Sequence, residues 1–141
     1  MLNDEQIDTL LATELAKIGA VSGAIGGGVS GAVNAATGAF VAGKLLKTDK
    51  QTETVNFTVP NQEVLTTVSR VFSNKPFTPG ADGTQIITDV KHSGFLNMNP
   101  VVVIGIVKDS SVQLIAGAKE GLIRQKTAKK ALAAVVSQLK I

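Results

Sequence analysis

The chain has 141 residues, a net charge of +3 and no cysteine; 44% of it is hydrophobic and 4% aromatic. That length supports one domain with a real core built from Val, Ile, Leu, Ala and five Phe. Zero cysteine excludes disulfides and thiolate chemistry, and the mild charge argues for neither a nucleic-acid nor an anionic-lipid partner.

The first stretch, MLNDEQIDTLLATELAK, carries Asp4, Glu5 and Asp8 at its start. A secretory leader opens on basic residues and a transit peptide is Arg-rich, so the expected location is the cytoplasm. Charges stop at Lys17 and resume at Lys44, leaving 26 uncharged residues, more than the ~20 that span a bilayer. Eight of the 26 are Gly, and Ser22, Ser30, Asn34 and Thr37 lower the hydrophobicity further.

Within this stretch every fourth position is small: Gly19, Gly23, Gly27, Gly31, Ala35, Ala39 and Gly43. Wound as a helix, Ile18, Val21, Ile25, Val29, Val33 and Phe40 gather within roughly 60° of one direction. The small and faintly polar residues take the other side. Each interior Gly costs about 1 kcal/mol of helix stability, so eight cost about 8 kcal/mol, comparable to a domain's net stability. Such a helix needs a close neighbour, and bare backbone permits one. The row resembles the glycine-zipper segments of membrane-associated proteins and the GxxxG stretches of small pore-forming bacteriocins. That resemblance covers Gly19–Gly43 alone and implies close helix packing without naming what is packed against.

Three readings of the segment follow. It packs inside the fold as a helix, or as a hairpin broken at Gly26-Gly27-Gly28, with its small face on another helix or a second subunit. Alternatively it inserts in a membrane, with Lys44, Lys47 and Lys50 holding the remainder on the cytoplasmic side. The third, a flexible linker, is disfavoured by the sorting of its faces.

KTDKQTE, residues 47–53, reads as a polar linker, so the chain divides into a glycine-zipper helical segment, 1–47, and an α+β domain, 54–141, forming one structural unit. TVNFTV (54–59) alternates as a half-buried strand that Pro60 stops. Asn61 is placed as the N-cap of a helix whose apolar stripe is Val64, Leu65, Val68, Val71 and Phe72. SNKPFTPGADG (73–83) reads as a loop with a turn at Asp82-Gly83.

TQIITDVK (84–91) is the second strand, with Ile86 and Val90 on one face and Asp89 on the other, and HSGFLNMN (92–99) connects onward. PVVVIGIV (100–107) is apolar on both faces, as a central strand covered on both sides is. KDSS (108–111) makes a tight turn into VQLIAGAK (112–119), completing a hairpin. The last helix, 126–140, has a stripe of Ala128, Ala131, Leu132, Val135, Val136 and Leu139, with Lys126, Lys129, Lys130 and Lys140 off its centre. The order β-α-β-β-β-α predicts an α+β fold with a four-stranded, mainly antiparallel sheet.

Catalytic signals are thin. Asp89 and His92, three apart at a strand end, are the one candidate acid–base pair, and no nucleophile motif accompanies them. GAIGGG lacks the preceding strand and the Lys-Ser/Thr end of a phosphate loop. No His/Asp/Glu cluster has metal-ligand spacing. RQKTAKK (124–130) gathers four cations without aromatics, the pattern of a solvated helix face rather than a nucleic-acid platform. Gly94, Gly105, Gly117 and Gly121 lie in or beside strands, where glycine marks bulges or close approaches. A sheet gripped by helices also leaves room for an apolar ligand. The sequence therefore reads as a non-enzymatic, cofactor-free, cytoplasmic α+β protein that works by packing and homo-oligomerisation. A membrane-associated protein with an inserted glycine-zipper helix is the alternative, and an Asp89/His92 enzyme stands third.

Overall fold

The computed structural model describes residues 2–18, 47–93, 99–120 and 126–139. They fall into two compact units. One holds 49–93, 99–118 and 126–139; the other holds 2–18, 47–48 and 119–120. The seven-position row from Gly19 to Gly43 lies outside the described residues.

In the second unit residues 4–18 form a helix, α1. Its start is a reciprocal cap: Gln6 N–H donates to Asn3 Oδ1 at 2.9 Å and Asn3 N–H donates to Gln6 Oε1 at 3.0 Å. Ile7 and Leu11, one turn apart, are buried, and Lys17 pairs with Glu14 on the exposed side.

The remaining elements run β1 (Lys47–Asn56), α2 (Asn61–Val71), β2 (Thr78–Pro79), a 3-10 turn (Ala81–Gly83), β3 (Gln85–Ser93), β4 (Asn99–Lys108), β5 (Ser111–Glu120) and α3 (Thr127–Leu139). The class is α+β, with an antiparallel five-stranded sheet ordered β1-β5-β4-β3-β2. The predicted count of four strands is corrected. Two-residue β2, inside the expected 73–83 loop, pairs Thr78 with Ile86 and Pro79 with Gln85. The 3-10 turn follows it, with Asp82 and Gly83 at φ 57° and 75°.

The expected linker is a second correction. Residues 47–53 are strand, and β1 ends at Asn56 rather than Val59. Its sequence KTDKQTETVN lacks a hydrophobic run because, among the described residues, β1 is an edge strand, where charges and threonines discourage further pairing. The chain beyond it is pinned to the β4–β5 turn: Phe57 N–H donates to the Ser110 carbonyl at 2.8 Å, and Ser110 Oγ–H to the Val59 carbonyl at 3.0 Å.

Strand β4 is central, as its two-sided apolarity predicts. Val101, Val103 and Val107 join a core with Val112, Leu114, Ala116 and Ala118 of β5, Ile87 of β3, and the apolar stripes of α2 and α3. The stripes are those read from helical periodicity, with Leu65 only half-buried. On the opposite face Val102, Ile104, Ile106 and Ile115 are also shut off from solvent. The β4–β5 hairpin closes through Asp109 and Ser110, with Asp109 at φ 54°, the positive value such tight hairpins favour.

Helix α2 is not capped by Asn61. Pro60 occupies the N-cap, no side chain bonds there, and the Pro60 carbonyl receives the Glu63 and Val64 N–H groups. Proline suits the entry to a helix because its φ is already set. Helix α3 is capped from a distance: Asp49 of β1 accepts the Ala128 N–H at 2.9 Å through Oδ2.

Candidate functional site

The chemistry-bearing side chains of the described structure meet where α2 ends against β3. Helix α2 unwinds through Ser73 and Asn74, both left-handed at φ 60° and 57°. Asn74 N–H reaches back to the Ser69 carbonyl at 2.8 Å and Ser73 N–H to the Arg70 carbonyl at 3.3 Å. The Val71 carbonyl is left pointing off the helix end. Lys91 of β3 meets it, its Nζ 2.9 Å away, placing a cation at the negative end of the helix dipole.

Two residues before Lys91, and so on the same face of β3, sits Asp89. It is 5% exposed. Its Oδ2 accepts from Lys91 Nζ at 2.7 Å and from Ser73 Oγ–H at 3.0 Å. Its Oδ1 accepts from Lys75 Nζ at 2.8 Å and from the Val90 N–H at 2.9 Å. Burial alone pushes the carboxyl pKa up. Hydrogen bonds from Lys75, Lys91 and Ser73, with the Lys91 charge, outweigh it and hold Asp89 below the usual carboxylate value.

A serine, a lysine and a buried carboxylate within hydrogen-bond reach invite comparison with an activated nucleophile. The donor directions say otherwise. Ser73 gives its proton to Asp89, and Lys91 is a charged donor to the Val71 carbonyl and to Asp89, with Ser73 Oγ a third neighbour at 3.4 Å. An ammonium used this way has no lone pair with which to accept the serine proton. What the arrangement does is fasten the end of α2 to β3.

The acid–base pair suggested by sequence is not assembled. Asp89 lies on the helix-covered face of β3, whereas His92, an odd number of residues away, falls on the opposite face and is exposed. Asp89 itself faces inward, not outward as its charge suggests. Strand spacing of two placed Lys91 beside it and was a usable signal; Ser73 and Lys75, at the start of the 73–83 loop, carried none.

Gly105 is a close approach, as a strand glycine implies. A Cβ there would sit 3.0 Å from Ile87 Cγ2 and 3.1 Å from Phe72 Cζ. Gly117 is buried in β5 opposite Val102, while Gly94 and Gly121 lie outside the described residues. Lys129 and Lys130 on α3, and Lys126 just before it, are exposed, the solvated face expected of them; Arg124 and Lys140 lie outside the described residues. Among the described residues no group of three His, Asp or Glu is placed to hold a metal, and no helix is long and apolar enough to cross a membrane.

The fold and its clasp thus define an α+β protein with an antiparallel sheet carrying two helices on one face. No known protein family, curated protein or solved structure matches the chain.

Proposed function

We propose that the protein acts without catalysis, as a packing module that forms a homo-oligomer through the row Gly19, Gly23, Gly27, Gly31, Ala35, Ala39 and Gly43. The observation that carries this reading is the row itself: seven small residues at every fourth position in a charge-free stretch, opposite an aliphatic face. A helix of that composition needs a tight neighbour to offset its glycine cost. The Asp89 cluster supports the non-catalytic part of this reading, since Lys91 and Ser73 donate within the contact between the end of α2 and β3. An apolar ligand or partner is the other occupant suited to the aliphatic side read from the sequence.

The test is the mass of the purified protein in solution, by light scattering, beside a Gly27→Leu variant. The proposal expects a multimer that the bulky side chain breaks or destabilises; unchanged mass and stability would count against it. The 26-residue uncharged stretch also favours a membrane-associated reading, with the α+β part on the cytoplasmic side. Fractionating cells with and without detergent separates the two, because only the second places the protein in the membrane pellet.

A further inference from the structure

Among the described residues, strand β3 is paired along its whole length on one side only. β4 pairs with all of Gln85–Ser93, but β2 reaches only Gln85 and Ile86 on the other side. Among the described residues no strand pairs with 87–93 there. Register decides which backbone groups point that way. Gly80 N–H donates to the Thr84 carbonyl at 2.9 Å, so residues 86, 88, 90 and 92 also aim their N–H and C=O away from β4. Beyond β2, the outward amides are those of Thr88, Val90 and His92. A row of this kind is a template for another strand.

The middle amide is taken. Val90 N–H donates to Asp89 Oδ1 at 2.9 Å, and Lys75, Lys91 and Ser73 hold that carboxylate in place. We propose that Asp89 guards the edge: its carboxylate occupies the Val90 N–H and so prevents a second copy of the chain from adding its own β3.

The second copy is the fitting intruder because residues 88–92, Thr-Asp-Val-Lys-His, are self-complementary. With a two-fold axis at Val90, antiparallel pairing sets Asp89 of each copy opposite Lys91 of the other, and Thr88 opposite His92. In this register Lys91 of one copy does not face Lys91 of the other, and the centre is a pair of β-branched valines, so the pairing does not depend on Asp89. Because Val90 points its amide outward, its central pairing is the hydrogen-bonded kind and needs both Val90 N–H groups. Those are the groups Asp89 withholds. This contact involves a sheet edge and is separate from the proposed glycine-row contact.

Two measurements test it. The first is amide hydrogen exchange of the native protein, corrected for intrinsic rates. Val90 is expected to exchange about tenfold or more slowly than Thr88 and His92, because only its N–H bonds to a carboxylate. Equal protection of the three overturns the proposal. The second is the solution mass of Asp89→Ala against the native protein over a range of concentrations. The variant is expected to form heavier species as concentration rises, and Thr88→Pro, which removes an outward N–H, is expected to return it to the native mass. A folded Asp89→Ala with native mass, or heavier species indifferent to Thr88→Pro, overturns it. Should Asp89→Ala fail to fold by circular dichroism, the exchange result on the native protein decides alone.

Discussion

Replacing Gly105 with alanine tests how tightly α2 is seated on the sheet. The added Cβ would lie 3.0 Å from Ile87 Cγ2, 3.1 Å from Phe72 Cζ and 3.4 Å from Phe72 Cε2. Carbon atoms rest at about 3.5–4.0 Å, so two neighbours must each yield by about half an ångström. Neither is free to do so. Ile87 is 1% exposed and lies in a strand paired on β4, and Phe72 is fully buried where α2 stops, its N–H bonded to the Val68 carbonyl at 3.0 Å. Overpacking of this kind costs about 1–3 kcal/mol. Against it stands a gain of about 0.4–1 kcal/mol, because alanine has less chain entropy to lose on folding. Crowding wins, and Gly105→Ala is expected to lose about 1 kcal/mol, with Gly105→Val losing about 3 kcal/mol. Urea unfolding followed by circular dichroism, with the slope held constant, measures it. Shortening the ring gives an internal check: in Gly105→Ala with Phe72→Leu the loss should fall short of the sum of the single losses by about 1 kcal/mol. An alanine variant as stable as the native protein, or strict additivity with Phe72→Leu, would refute the close contact.

Further outcomes follow from the same structure. The folded Asp89 pKa lies below the unfolded value of about 3.9, so its contribution is complete above that value and drains away as pH falls through it toward the folded pKa. Unfolding free energies measured between about pH 2 and 6 should therefore drop more steeply for the native protein than for Asp89→Asn, and parallel curves would contradict the ion pairs. Asp49→Ala removes the acceptor of the Ala128 N–H and is expected to cost about 1 kcal/mol, with Asp49→Asn retaining most of it, as urea midpoints would report. Leu139→Ala, at a fully buried site, should cost about 2–5 kcal/mol and lower the thermal midpoint by many degrees.

Periodicity was a reliable guide where one face is apolar and the other is not. The stripes of α2 and α3 follow it, down to Leu65 as the half-buried flank, and the two-sided run of β4 marked the centre of the sheet. It failed for β1, because an edge strand meets water on much of its surface and needs no hydrophobic alternation; Lys47–Glu53 looks the same in a linker. It failed for β2, where two residues are too few to show a period. At Asn61 the preference for a polar cap lost to Pro60, whose carbonyl takes the first helical amides. The Asp89 cluster was half legible. Asp89 and Lys91 share a strand face by spacing, but an acid in a half-apolar strand suggests an outward side chain. Only the tertiary approach of Ser73, Lys75 and the Val71 carbonyl makes an inward carboxylate tolerable.

The aliphatic run of β4 has a consequence for the nascent chain. Val101–Val107 is buried on both faces once folded, and Gly105 is its single break. Before folding, a seven-residue stretch of this kind is the sort that stacks into fibrils. Its neighbours limit the hazard: Pro100 precedes it, Lys108 follows it, and β5 arrives after a turn of only two residues. A hairpin that short closes on the microsecond scale, whereas translation adds a residue in about a tenth of a second. The dangerous segment is thus given its legitimate mate almost as soon as that mate is synthesised.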